Sequence, residues 1–233
     1  MSTPHPLDRP VWNALTTRQA HLALGDAKIA LRFPPDIEPF GAAIANTDAH
    51  LAALGALMPK DGGVATVERG AIAAPPGFVT MIDETIHQMT AERIEGPGPD
   101  PAIIPLGDGD AAEMRALAEL TQPGPFYART HTLGDFVGIR EKGRLIAMAG
   151  ERLRVPGFTE ISAVCTHPDA RGRGLAAKLM CVVAAKITAR GEALFLHVYP
   201  RNQAAIAVYE KLGFRHRANV QFTVFRHRPP GEV

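Results

Sequence analysis

Cysteine is almost missing from this chain of 233 residues, which carries only Cys165 and Cys181. One falls in a strand-like run and the other in a helix-like pattern. Neither reads as half of a disulfide staple, so a reduced, cytoplasmic setting is expected. Aromatic residues are scarce at 6%, and Trp12 is the single tryptophan. A net charge of +1 provides no basic surface for nucleic acid or an anionic membrane, and neither is expected as a partner. No apolar run approaches the length that spans a bilayer, and the start, MSTPHPLDRP, has no apolar signal core. Metal-ligand spacing is absent, so no metal is expected. What remains, 46% apolar and 21% charged, suits a soluble globular protein long enough to bury a sizeable core.

What is present begins with punctuation. Residues 96–101 read GPGPDP, which neither helix nor central strand tolerates, and divide the chain into 1–97 and 98–233. The first part reads as a small α+β region. Thr16 and Thr17 predict caps for a helix over 18–24 ended by Gly25. A second helix is expected from Asp48 through Leu51, Leu54 and Leu57. Residues 64–67 and 78–82 read as strands, with 86–89 either extending the second or forming a helical turn. The second part is clearer. A strand at 103–106 precedes a helix capped by Asp110, with Glu113 placed for a capping box. Strands at 136–140 and 145–153 meet through the hairpin signal Glu141-Lys142-Gly143. Strands at 159–166 and 194–198 flank one helix that buries Leu175, Leu179, Val183 and Ile187, so they are expected to be parallel. A helix from Asn202 and a strand at 220–225 complete a mixed α/β domain.

Between strand 159–166 and its helix lies a turn holding Arg171, Gly172, Arg173 and Gly174. Such a turn offers unpaired N–H groups and a positive helix end to a phosphate. Gly172-x-Gly174-x-x-Ala177 formally fits a dinucleotide fingerprint. That reading needs a carboxylate at the end of the next strand, which instead ends His197-Val198-Tyr199-Pro200. The motif also follows a meander rather than opening the domain. An NAD-dependent oxidoreductase is therefore the lesser alternative.

Taken as Arg171-x-x-Gly174-x-Ala176, the turn resembles the acyl-CoA signature of the GNAT N-acetyltransferase superfamily. Asn202-x-x-Ala205-Ile206-x-x-Tyr209-Glu210-Lys211-Leu212-Gly213-Phe214 resembles the second signature of that family. The wording is closest to the branch resembling glycine N-acyltransferase C-terminal domains. The resemblance covers roughly residues 102–227, and the first part is similar only as a degenerate copy of the same fold. It implies a mixed central sheet whose two parallel strands splay apart. It also implies transfer of an acetyl group from acetyl-CoA to a primary amine within a ternary complex. The pantetheine arm would then pair with Val164 and Thr166, and the Val164 N–H would face the thioester oxygen. The pyrophosphate would sit against Arg171, Gly172, Arg173, Gly174, Leu175 and Ala176, with glycine at 172 and 174 supplying unusual dihedrals. Asn202 either bonds the arm or serves only as an N-cap. Tyr209 matches the tyrosine that contacts the cofactor and protonates the leaving thiolate.

An amine of pKa about 10.4 must also lose a proton. Glu160 is the first candidate base, because strand alternation gives it the face of Ser162, Val164 and Thr166. Glu151 is second, and His197 or Tyr199 follow. Cys165 faces away from Glu160 on the same parity and reads as a core residue. Phe126, Tyr127 and His131 lie in the loop where the superfamily usually builds its acceptor site. The acceptor, a small molecule or a peptide amine, stays open. The first part is expected to shape the acceptor site or to mediate a homodimer. A non-catalytic acyl-CoA-binding regulatory module is the alternative from another class.

Overall fold

The computed structural model describes residues 5–60, 62–94, 96 and 100–229. Helix α1 spans Pro10–Thr16, with proline in the first turn and Val11, Ala14 and Leu15 buried. This differs from the expected helix over 18–24, where only a 3₁₀ turn forms at Ala20–Leu22. The hydroxyl of Thr16 bonds back to the Trp12 carbonyl at 2.8 Å, and that of Thr17 to the Asn13 carbonyl. The two threonines therefore finish one helix instead of starting another.

Strands β1 (Leu24–Asp26), β2 (Ala30–Arg32) and β3 (Gly41–Ala43) follow as a small antiparallel sheet. Three-residue strands are too short to show an alternating pattern, so sequence reading had no grip on them. Helix α2 (Asp48–Ala56) starts where expected, capped by Thr47. It leads to β4 (Gly63–Glu68) and to β5 (Phe78–Ala91), a single strand that absorbs residues 86–89.

The remaining elements are β6 (Ile103–Leu106), α3 (Ala111–Thr121), β7 (Phe136–Glu141), β8 (Arg144–Val155), β9 (Phe158–Thr166), α4 (Leu175–Ala189), β10 (Ala193–Val198), α5 (Gln203–Lys211) and β11 (Arg215–His227). Lys142 and Gly143 join β7 to β8 with φ of 50° and 82°, the positive pair that matches the twist of a hairpin. Asp110 and Glu113 do not form the expected capping box around α3. Both carboxylates bind Arg140, and Asp110 also accepts from the Gly107 N–H.

Eight strands form one mixed sheet in the order β4-β11-β5-β10-β9-β8-β7-β6. Within it only β9 and β10 run parallel. Strand β5 lies between β10 and β11 and pairs antiparallel with both. Strands from before and after residues 96–101 thus share a sheet, while residues 97–99 and the 97/98 boundary fall outside the described residues. Successive residues of β8 face different cores: Ala147 and Ala149 pack with α4, and Met148 packs with α3. No helix among the described residues is long and apolar enough to cross a membrane.

Two irregularities open the sheet. Parallel pairing of β9 with β10 stops after Glu160↔Phe195, and the strands then separate. On its other edge β9 carries a bulge: Met148 pairs Cys165 while Gly150 pairs Ser162, and Ala163 takes φ 52°. Ile161 and Val164 therefore both pack on the α4 side, whereas Ala163 and Cys165 pack with α3.

Candidate active site

The separation of β9 from β10 leads into a cavity of about 460 Å³. Val164, Cys165 and Thr166 line it from β9, and His197, Val198 and Tyr199 from the end of β10. Asn202, Ala205 and Tyr209 close it from α5, and Arg171 from the turn. Phe40, Val67 and Ile86 come from the first part of the chain. Residues 121–125 contribute a further wall, while Phe126, Tyr127 and His131 do not line it. Phe126 packs edge-on against Phe136, and the His131 Nε2 lies 2.9 Å from Asp108.

At the turn, Gly172 and Gly174 take φ of 77° and 72°, the left-handed conformation that glycine adopts freely. Gly174 is the N-cap of the 15-residue α4, and no side chain caps that end. The first N–H groups of the helix, with their partial positive charge, are left for a ligand. Leu175 buries its side chain and Ala176 is half-buried, so the backbone is what they offer. Arg171 lies 3.5 Å from the Thr166 carbonyl, on the cavity side. Arg173 is held by the Glu141 carboxylate of the hairpin.

Asn202 accepts the Ala205 N–H at 3.2 Å, the N-cap of α5, and also faces the cavity. Tyr209 packs edge-on against Phe214, and burial pushes its phenol up to about 12. Burial likewise raises the Cys165 thiol to about 11, against a hydrogen bond with Thr121, which disfavours a nucleophilic thiolate.

The two carboxylates expected as bases are both fully buried. The bulge at Ala163 inverts the parity of β9, so Glu160 shares its face with Cys165 and not with Val164 and Thr166. Its oxygens take a two-pronged bond from Arg152, at 2.7 and 3.0 Å, and lie 2.7 Å from His197 Nδ1. Burial would raise its pKa, but the charge of Arg152 and the hydrogen bonds from His197 and Arg152 hold it down at about 2. Glu151 turns to the α4 side, where it binds Arg154 and Arg190 away from the cavity.

Arg152, His197 and Gln88 form the part of the site that sequence reading missed or under-weighted. Phe40 lies against the Arg152 guanidinium, 5.1 Å from its ring centre. Gln88, directly opposite His197 on β5, accepts from Arg217 at 2.6 Å and donates to the Leu7 carbonyl at 3.0 Å. Its amide nitrogen therefore points at His197 Nε2, 3.0 Å away. His197 then accepts at Nε2 and donates from Nδ1 to Glu160, which assigns its tautomer. The Arg152–Glu160 pair across the β8–β9 hairpin depends on the irregular register of these strands and not on local spacing. The long-range partners Gln88 and Phe40 had no local signal. Among the described residues no three metal-binding side chains gather.

Comparison with known proteins supplies a further observation. The sequence model of the FR47-like protein family matches residues 136–223, from β7 into β11. The N-alpha-acetyltransferase RimI of Mycobacterium tuberculosis is 36% identical over 130 residues, which is 50% of this chain and 81% of that protein. A solved structure of a GNAT-family acetyltransferase from Novosphingobium aromaticivorans is 42% identical. It aligns over 97% of this chain and 100% of its own, with a TM-score of 0.90. A GCN5-related N-acetyltransferase from Kribbella flavida shares the fold at 17% identity and a TM-score of 0.60, over 95% of this chain and 96% of its own.

Proposed function

Because the chain belongs to the GNAT family of acetyltransferases, we propose that it moves an acetyl group from acetyl-CoA to a primary amine by direct transfer. The observation that carries this reading is a convergence. The open edge of β9 and the Tyr209 ring border one cavity between β9 and β10, and Arg171 on its wall opens the turn that leads to the uncapped start of α4. An acyl chain ending in a thioester needs an extended edge for its amide arm, and a phosphorylated tail needs a helix N-terminus. The glycine N-acyltransferase likeness of the turn is taken as a shared grip on acyl-CoA and not as an acceptor identity.

In this reading the backbone groups of Val164 and Thr166 hold the pantetheine arm, and the Val164 N–H receives the thioester oxygen as charge builds on it. The N–H groups of residues 171–176 hold the pyrophosphate, with the Arg171 charge beside them. Tyr209 donates to the departing sulfur. A phenol near 12 is a weaker acid than a thiol of about 8.5. Its contribution is therefore a hydrogen bond to developing thiolate, with the full proton delivered later from solvent. A Glu160 carboxylate near 2 is too weak a base for an amine. Its role is to hold Arg152 and His197 in place. The Mycobacterium tuberculosis relative is by name an N-alpha-acetyltransferase, which supports an amine as acceptor.

The test is thiol release by purified protein with acetyl-CoA and a panel of amino acids, polyamines and peptide N-termini. Turnover with at least one amine supports transfer. Binding of acetyl-CoA without turnover on any amine would make the protein a non-catalytic acyl-CoA module, and stabilisation by NAD alone would overturn both readings.

A further inference from the structure

The wall of the cavity is one-sided in charge. Among the described residues it holds two arginines, Arg152 and Arg171, and no aspartate or glutamate. Arg171 stands at the turn that the transfer reading gives to the pyrophosphate, which leaves Arg152 unassigned. Arg152 is only 9% exposed, and two of its nitrogens, Nε and Nη2, are committed to Glu160. The third, Nη1, has no hydrogen-bond partner among the described residues. It lies beside Gly124 of the same wall, where an added Cβ would come to 3.9 Å from it. Glu38, the other carboxyl within electrostatic reach of Arg152, forms no hydrogen bond with it. A guanidinium so far out of water, with an unused donor at a cavity wall, favours an anionic partner.

The wall around Arg152 is apolar. Phe40, which lies against the guanidinium, meets Phe222 edge-on at 6.5 Å, and Phe222 meets Tyr199 edge-on at 6.4 Å. Val67, paired with Phe222 across β4 and β11, and Ile86 of β5 complete this side. None of these five belongs to the strand, turn or helix assigned to acetyl-CoA. Three of them, Phe40, Val67 and Ile86, come from the first part of the chain. That part therefore shapes the side of the cavity left for the acceptor. An acceptor with a second cationic group would find no counter-charge on this wall.

We propose that the acceptor is an amine that also carries a carboxylate and a large apolar group, and that Arg152 selects it. This is the chemistry of a free apolar amino acid. It names the substrate class of the transfer reading above and rests on that reading. The carboxylate accepts from Nη1, and the apolar group packs against Phe40, Phe222 and Tyr199. Glu160 and His197 then serve recognition as well as stability, because their bonds leave one guanidinium nitrogen free for the ligand.

The experiment measures kcat/KM by thiol release with acetyl-CoA, in wild type and in Arg152→Lys. The acceptors are L-phenylalanine, its amide, 2-phenylethylamine and glycine. In wild type, L-phenylalanine should exceed the amide, 2-phenylethylamine and glycine by about 10- to 100-fold each, the worth of one charged hydrogen bond or one buried apolar side chain. In Arg152→Lys the ratio of L-phenylalanine to 2-phenylethylamine should collapse toward one. That ratio is taken within one sample, so it does not depend on how much of the variant is folded. The amine-free acid 3-phenylpropionate should raise the Tm of wild type and not that of Arg152→Lys. Equal kcat/KM with and without the carboxylate overturns the proposal and leaves the transfer reading standing. A preference that survives in Arg152→Lys overturns it too, as does a Tm shift that is equal in both proteins or absent from both. A wild type that turns over no amine overturns the transfer reading itself, and the proposal with it.

Discussion

Gln88 and His197 face each other across β5 and β10, with the amide nitrogen 3.0 Å from the imidazole Nε2. The pair ties a strand of the first part of the chain to the ring beneath the cavity, and the chain of bonds runs Arg217–Gln88–His197–Glu160–Arg152. Each member satisfies the next, so the network fixes the position of Arg152 at the cavity wall.

Gln88→Leu should break that chain at its middle. It leaves His197 Nε2 and the Leu7 carbonyl without their donor, at about 1–3 kcal/mol for each buried group, while Arg217 loses one bond and keeps that to Asp8. The midpoint of urea unfolding is expected to fall, with no change in its slope. An unchanged midpoint would mean that the amide contributes nothing to the fold.

Glu160→Gln leaves Arg152 buried without its counter-charge, and a loss of about 3–5 kcal/mol is expected from similar broken pairs. The pH dependence has a definite sign. Folding lowers this carboxyl from its ordinary 4.5 to about 2. Its stabilising contribution is therefore complete above about 4.5 and disappears as pH falls toward about 2. Wild type should lose stability through that window more steeply than the variant, as followed by denaturant midpoints at several pH values.

Tyr209→Phe removes a hydroxyl that borders the cavity while keeping the ring packed on Phe214. Turnover should drop by about 10- to 100-fold, with the KM for acetyl-CoA nearly constant. Equal kcat values in steady-state thiol release would remove the phenol from the mechanism.

Ala163→Gly tests the bulge. Alanine at φ 52° carries a left-handed penalty of about 1 kcal/mol that glycine avoids. The variant should be as stable as wild type or slightly more so in thermal unfolding. A clear loss would show that the methyl group, packed beside Met148 and Cys165, outweighs the backbone term.

The second part of the chain was legible because its signals are local. The Lys142-Gly143 turn, the four-residue spacing from Leu175 to Ile187 and the glycine turn at 172–174 each act within a few residues. Glu160 was placed on the wrong face for a physical reason: one extra residue at Ala163 inverts parity, and alanine gives no warning of a left-handed bulge. The first part was opaque where its strands, β1 to β3, are three residues long. Its contributions, Phe40 and Gln88, depend on contacts across more than one hundred residues. Arg152 carried no local signal, and its pairing with Glu160 became legible only once the β8–β9 register was known.

The placement of β5 between β10 and β11 bears on how the molecule comes into being. During synthesis this 14-residue strand emerges long before either neighbour, and both of its hydrogen-bonding edges stay open until residues 193–227 have been made. An exposed pair of strand edges is an invitation to mispairing with other chains. The acidic residues Asp83 and Glu84 near its middle, which later bind Gln221 and Arg201, would meanwhile discourage self-association. The same connectivity means that residues 98–233 alone would present β10 and β11 with a missing neighbour. Expression of that fragment should give aggregate unless residues 1–97 are supplied in trans.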